Sequence, residues 1–358
     1  MKIAIDAQPT VGSKTGIGYY VYNLLKEYAS LENNEIIFYR YTHPRKEELN
    51  TLERMYWENI LLNHQIQKEK IDILHIPGFA GPIKKGKFKK VTTVHDLIGM
   101  IYPQNLSFFS RFYWQKWLPV CVKNSDFIIA DSENTKKDII RFLHIPEERI
   151  KVVYLAASPK FSPLEKSAKY EEILKQYGIE NKYFLNVGTI EPRKNISLLI
   201  EGFWRYLQAS QNKDIILVIA GKYGWDYQRC LNKALELKVS GRVIFCDYVK
   251  EEHLPVLYNF CEAFVYPSAY EGFGLPVLEA MSCGAAVICS NNSSLPEITP
   301  KETLYIDPDD INSISSALVK ILEDNRLKEK LQLACLNYSK EFSWKKTAQE
   351  TLEIYKKI

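Results

Sequence analysis

The sequence predicts an α/β protein made of two doubly wound domains, each a parallel sheet flanked by helices. Three observations predict it. Short apolar runs alternate with helical patterns along the whole chain, which is the signature of βα units. The runs are continuously apolar and do not alternate with polar residues, as expected of strands buried on both faces. The chain also has 358 residues, more than one core usually serves.

In the first half the strand candidates are KIAIDA, EIIFYRY, DILHIP, KVTTVHDLI, DFIIADS and IKVVYLA. In the second half YFLNVG, DIILVIAG, RVIFCDYV, AFVYPS, AAVICS and TLYID play the same part. Stretches such as NISLLIEGFWRYLQAS and NSISSALVKILEDN lie between them, with apolar residues at helical spacing. The alternation pauses over residues 158–169, SPKFSPLEKSAK, whose prolines and mixed charges read as a linker. The predicted division is therefore residues 1–165 and residues 166–341. Ligands of such sheets bind beyond the carboxyl ends of the strands, so a shared ligand is expected in a cleft between the domains.

Composition narrows the class. The chain is 46% hydrophobic and 25% charged with no low-complexity tract, which argues against a disordered protein. No apolar run approaches the roughly 18 residues of a spanning helix. The start, MKIAIDAQPT, lacks the pattern of a secretory leader, so a cytoplasmic protein is expected. The seven cysteines include no C-x-x-C pair and read as reduced core residues. Residues 1–160 carry 23 Lys and Arg against 17 Asp and Glu, while residues 161–358 carry 24 against 26. A mildly basic first half suits an anionic partner or membrane surface, whereas nucleic-acid binders show stronger bias and a recognisable module. No nucleic-acid partner is predicted.

The candidate site residues fall at predicted strand ends. After KIAIDA, the loop QPTVGSKTGIGYY brings Gly12, Gly16 and Gly18 ahead of an amphipathic helix, where backbone N–H groups can approach an anion. Its spacing fits neither G-x-G-x-x-G nor the P-loop. TVHDL puts His95 and Asp96 at a strand end, where a histidine can reach a sugar hydroxyl. In ADSENTKKD, Ser132 is expected to cap a helix. NVGTIEPRKN places Arg193 and Lys194 just ahead of a helix with Asn195 as its expected cap. Cations are disfavoured there, so a shared anion such as a diphosphate explains them better than a surface pair.

The most specific stretch is YPSAYEGFGLPVLEAMSCG. An apolar strand ends, Gly272 and Gly274 turn the chain, and Leu275 and Pro276 start a helix whose first N–H groups make an anion cradle. Glu271 precedes the turn and Glu279 lies one turn into the helix, so both carboxylates can accept paired hydroxyls of one ligand. Sugar at both ends and phosphate between describes a nucleotide sugar.

EGFGLPVLEAMSCG resembles the E-x7-E motif of the retaining glycosyltransferases of family 4, which have the GT-B fold. VGTIEPRKN, the first glycine loop and VTTVHDLI match the same family in the same order. The resemblance covers nearly the whole chain and is nearest the bacterial branch of surface-polysaccharide mannosyltransferases. It implies that Glu279 holds the donor's ribose hydroxyls and that Glu271 contacts the transferring sugar, with Gly272 and the amides of Phe273, Gly274 and Leu275 nearby. It further implies that Arg193 and Lys194 neutralise the diphosphate, that His95 touches the donor sugar, and that Gly16 to Gly18 close over the phosphates. Base recognition would lie near Val249. Two positions depart from the family pattern: Thr189 stands where many members carry Arg, with Arg193 able to compensate, and Asp247 stands where a glycine is usual. The family's last helix, residues 342–358 here, crosses back to the first domain.

The chemistry implied is metal-free and needs no cofactor: two cations and a helix N-terminus stabilise the departing nucleoside diphosphate. DPDD, Asp307 to Asp310, formally contains the metal motif D-x-D but reads more simply as a turn and cap. The resemblance suggests front-face attack with retention. The expected donor is GDP-mannose, and the acceptor a growing surface-polysaccharide or lipid-linked glycan. A lysine-rich loop, KKGKFKK at residues 84–90, and the aromatic stretch LSFFSRFYWQKWLPVCVK at residues 106–123 make peripheral membrane contact a further expectation. Other readings stay open: a UDP-sugar donor, a nucleotide-sugar epimerase on the same fold, or a non-catalytic nucleotide-sugar-binding protein.

Overall fold

The computed structural model describes residues 1–12, 16–31, 35–78, 81–84, 86–210 and 214–358. Two compact units result, one of Met1–Ala156 with Phe342–Ile358 and the other of Ala157–Glu341.

The N-terminal unit holds strands β1 (Lys2–Asp6), β2 (Ile37–Tyr41), β3 (Ile73–Ile76), β4 (Lys89–Val94), β5 (Phe127–Ala130) and β6 (Ile150–Val152). They pair in parallel in the order β2-β1-β3-β4-β5-β6. Helices cover both faces because the central strands are apolar on both sides. Ala4, Leu74, Trp57 and Leu62 build one core layer, and Val94, Ile128, Leu118 and Ile139 the other. The first connection leads from β1 to β2 on one side and the next returns to β3 on the other. The chain therefore reverses direction between β1 and β3, the kind of switch point at which doubly wound sheets open a crevice for ligands.

The C-terminal helix, Trp344–Lys357, packs within this unit. Its Thr347 hydroxyl donates to the Tyr154 carbonyl at 2.7 Å. Its Tyr355 hydroxyl lies 2.6 Å from His75 Nδ1, and His75 Nε2 lies 2.8 Å from Thr93 Oγ1. Burial pushes His75 down to about 3, so this fully enclosed ring is neutral and serves as a structural link.

The second unit holds β7 (Lys182–Val187), β8 (Ile215–Ala220), β9 (Val243–Asp247), β10 (Ala263–Tyr266), β11 (Val287–Ser290) and β12 (Leu304–Ile306). They too pair in parallel, in the order β12-β11-β10-β7-β8-β9. The switch point here lies between β7 and β10. Phe184, Leu217, Val265 and Ile288 fill its core with Ile200, Phe203 and Leu318 from the covering helices. All seven cysteines are free and six are buried. Among the described residues no helix is long and apolar enough to cross a membrane.

Candidate active site

The loops that follow β7 and β10 are neighbours because their strands are neighbours, and each carries charged residues. After β7 the chain forms a single tight turn over Pro192–Lys194 and enters the helix Ile196–Ala209. After β10 it turns through Ser268 and Glu271 to Gly274, where the helix Leu275–Ser282 begins. Gly274 has φ 111°, and a Cβ there would stand 2.7 Å from Leu295 and 2.9 Å from Ile298. Both facts require glycine. Ser294 secures the turn, its hydroxyl donating to the carbonyls of Glu271 at 3.0 Å and Phe273 at 2.7 Å.

Glu271 is the hub. Its Oε1 accepts from Arg193 Nη1 at 2.7 Å, Lys194 Nζ at 2.6 Å, the Tyr266 hydroxyl at 3.0 Å and Ser268 Oγ at 2.6 Å. Among the described residues Oε2 has no hydrogen-bond partner. Burial alone would raise the carboxyl, but Lys194 and Arg193 outweigh it and hold Glu271 at about 2. Lys194 also donates to the Tyr266 hydroxyl, and burial pulls its ammonium below the usual lysine range. Arg193 pairs at its outer edge with Glu191 at 2.6 Å. The anion shared by the two cations in this structure is thus a glutamate of the site itself.

Glu279 lies apart from that hub, on the helix face between buried Leu278 and Ala280. Its Oε2 accepts from the Tyr258 hydroxyl at 3.0 Å. Burial pushes it up to about 7, against the smaller pull of Tyr258 and Lys160. Asn195 does not cap its helix through its side chain, as its residue type suggested. Its backbone is left-handed at φ 53°, and its side chain donates instead to the Pro308 carbonyl at 3.2 Å. Asp310 and Ser132 do cap, accepting from Asn312 N and Thr135 N. Among the described residues no group of three or more His, Cys, Asp or Glu is placed to hold a metal.

Val249 is buried just past β9. Asp247, standing where the family pattern has glycine, has φ 51°. That is the backbone region glycine serves and aspartate tolerates better than most residues. Thr189 is exposed.

His95 and the first glycine loop belong to the N-terminal unit. Gly16 and Gly18 open the helix Gly16–Tyr28, and a Cβ on Gly16 would meet nothing within 4 Å. Ser13, Lys14 and Thr15 of that loop, and Lys85 of the lysine-rich loop, lie outside the described residues. His95 Nδ1 lies 2.6 Å from Asp131 Oδ2 and Nε2 lies 2.8 Å from the Pro77 carbonyl. A carboxylate and a carbonyl both accept, so both ring nitrogens donate and the ring is an imidazolium. Burial opposes that charge, but Asp131 overrides it and raises His95 above the usual histidine range.

Sequence reasoning missed Tyr266, Ser268, Glu191, Tyr258 and Asp131 as partners. Tyr266 and Ser268 sit at alternate positions around a strand end, five and three residues before Glu271, a local signal that could have exposed them. Asp131 reaches His95 only through the pairing of β4 with β5, which nothing in the sequence displays.

Residues 14–160 match the family described as Glycosyltransferase Family 4, and residues 169–341 match Glycosyl transferases group 1. The chain is 32% identical over 353 residues to the O-antigen chain mannosyltransferase B of Escherichia coli, covering 98% of this chain and 88% of the relative. It is 32% identical over 283 residues to the serotype-specific mannosyltransferase WbdA of Escherichia coli, with 77% of this chain matched to 34% of that longer protein. Among solved structures, a sucrose-phosphate synthase from Thermosynechococcus elongatus superposes with TM-score 0.78 at 20% identity, covering 100% of this chain and 98% of the other. WaaG, a glycosyltransferase involved in lipopolysaccharide biosynthesis, superposes with TM-score 0.74 at 15% identity over 99% of each chain.

Proposed function

This chain belongs to the family 4 glycosyltransferases, with the GT-B fold, and from that premise we propose that it transfers mannose from GDP-mannose to a growing surface-polysaccharide or lipid-linked glycan, retaining the anomeric configuration. One observation carries the reading: the cations Arg193 and Lys194 and the carboxylate Glu271 converge at the switch point of a doubly wound sheet. The names of the relatives favour mannose and O-antigen chains over other hexoses and acceptors.

The reaction follows from charge. The bond between the sugar C1 and the diphosphate oxygen breaks, leaving negative charge on the nucleoside diphosphate. The acceptor hydroxyl forms the new C1–O bond on the same face, and its proton passes to the departing phosphate. Lys194, Arg193 and the amides at Gly274 and Leu275 stabilise that phosphate. Glu271 keeps the cations in place until the diphosphate takes them over, and its unpaired Oε2 faces the sugar. Glu279 accepts the ribose hydroxyls, and Val249 lies by the base. His95 contributes its charge, since both its N–H groups are already spent.

A thermal-shift panel of GDP, UDP, ADP and their sugar conjugates tests the donor. Ligand at a hundredfold excess over Kd adds about 2.7 kcal/mol to native stability. GDP and GDP-mannose alone should raise Tm, and Glu279→Ala should abolish the rise. A shift with UDP compounds would overturn the mannose assignment.

We also assign the protein to the cytoplasmic face of a membrane. Phe108, Phe109 and Phe112 are 81%, 80% and 54% exposed on a helical stretch whose Leu118 and Val122 are core residues, and Arg111 and Lys116 flank them. Such a face inserts aromatics at the headgroup level. Phe108→Ser with Phe109→Ser should lose co-sedimentation with anionic vesicles at low salt; no sedimentation of the wild type would end the assignment.

A further inference from the structure

We propose that the crevice beyond the carboxyl ends of β1 and β3 binds hydroxyl groups of the acceptor sugar, with Arg54 as the contacting residue and Glu58 as the positioning residue behind it. The inference deepens the glycosyltransferase reading and rests on it. Arg54 lies in the helix Thr51–Tyr56, which widens into a π turn over Trp57–Leu61. Such turns frequently mark functional sites, and this one carries Trp57 and Glu58 into the interior. Trp57 Nε1 donates to Asp6 Oδ1 at the end of β1, 3.1 Å away. Arg54 Nε donates to Glu58 Oε1 at 2.9 Å, and Nη2 donates to the carbonyl of Gly78, just past β3, at 3.2 Å. A Cβ on Gly78 would stand 2.8 Å from that Nη2, so the glycine makes room for the guanidinium.

Two features exceed what a structural ion pair needs. The Arg54 side chain is 33% exposed, and its remaining N–H groups have no partner among the described residues. Glu58 is fully buried, and its Oε2 also has none. A guanidinium is thus held at two points and presents unspent donors at the one place in this sheet where the topology opens a crevice. The charge selects the ligand class. Arg54 and the buried Lys90, whose ammonium is already held by the Pro82 and Cys121 carbonyls, face two carboxylates, Asp6 and Glu58, so no surplus positive charge remains for a phosphate. Paired hydroxyls of a neutral sugar match the planar fork.

The test uses the full chain and mannobiose as probe. Ligand-observed saturation-transfer NMR should show mannobiose binding to the wild type. Arg54→Gln should weaken it roughly tenfold or more, Arg54→Lys should recover part of the loss, and Glu58→Gln should fall between. In a transfer assay the same variants should raise KM for the acceptor and leave KM for the donor unchanged. A GDP thermal shift equal in all variants confirms an intact fold and nucleotide site. Mannobiose binding equal in wild type and Arg54→Gln, with lower Tm in the variant, would make this a structural ion pair only. Binding of inorganic diphosphate in place of mannobiose, or no mannobiose binding to the wild type, would overturn the ligand class. Failure of every nucleotide to bind would sink the transferase reading alone, since the mannobiose arm reads this crevice directly.

Discussion

Beyond β7 and β10, Glu271 meets two cations, Arg193 and Lys194, with Glu191 at the outer edge. Beyond β1 and β3, Glu58 meets one cation, Arg54, and shares it with Asp6. Both glutamates are buried at the switch point of a parallel sheet. Yet Glu271 is held at about 2, while burial pushes Glu58 up to about 7 and Asp6 up as well. Burial acts the same way on both, and the charges around each decide the outcome: two cations bond to Glu271 directly, whereas Glu58 has one bonded cation, Arg54, the smaller pull of Lys90 and the opposing charge of Asp6. The first cluster stays charged and has cations to offer an entering diphosphate. The second is close to neutral and suits an uncharged, hydroxyl-rich ligand.

The largest effect should come from removing the hub's charge. Glu271→Gln keeps the shape but leaves Lys194 buried with no carboxylate, and breaking a buried pair costs about 3–5 kcal/mol. Urea denaturation reads it directly. A variant as stable as the wild type would mean that Glu191 re-pairs both cations, and the contrast between the clusters would collapse.

The two glutamates should also give pH dependence of opposite sign. Glu271 has a lowered folded value, so its contribution is present above the ordinary glutamate range and is lost as pH falls toward 2. Glu58 has a raised one. The folded state then holds a proton that the unfolded state has released, so stability declines as pH climbs from the ordinary range to about 7. One such group changes stability by at most about 1.4 kcal/mol per pH unit. Glu58→Gln should flatten the decline between pH 5 and pH 7 in a series of melts. Glu279, raised to about 7 as well, contributes the same sign, so Glu58→Gln with Glu279→Gln should flatten it further. An unchanged slope in the double variant would show that neither carboxyl titrates there.

The two clusters were not equally legible. Every strand could be read because continuous apolar runs leave few alternatives in a parallel sheet. The C-terminal cluster could be read because each of its two parts leaves a local signal, Arg193 beside Lys194 ahead of one helix and Glu271 one turn before the start of another. Its wiring could not. That both cations bind Glu271 Oε1 depends on β7 lying next to β10, and the left-handed Asn195 gives its side chain to the Pro308 carbonyl, a partner 113 residues away. The N-terminal cluster left no local trace. Asp6, the Arg54–Glu58 turn and Gly78 come from three separate segments, and Arg54 with Glu58 at i, i+4 looks like any solvated helix pair.

The smallest effect expected is at His95, where it separates a fixed charge from a hydrogen-bonding side chain. Asp131 and the Pro77 carbonyl accept from its two ring nitrogens, so protonation is built into the geometry. The folded value is raised above the ordinary histidine range, chiefly by Asp131 acting against burial. Its stabilisation is therefore complete below the unfolded value and is lost as pH rises through the folded one. Asp131→Asn should lower the ring's titration point in NMR and cost about 1.5–3 kcal/mol near pH 6, the range of a charged hydrogen bond, with a smaller cost at higher pH. If the ring instead titrates at the ordinary histidine position in both proteins, the pair is a neutral contact, and His95 has no charge to offer a transferring sugar.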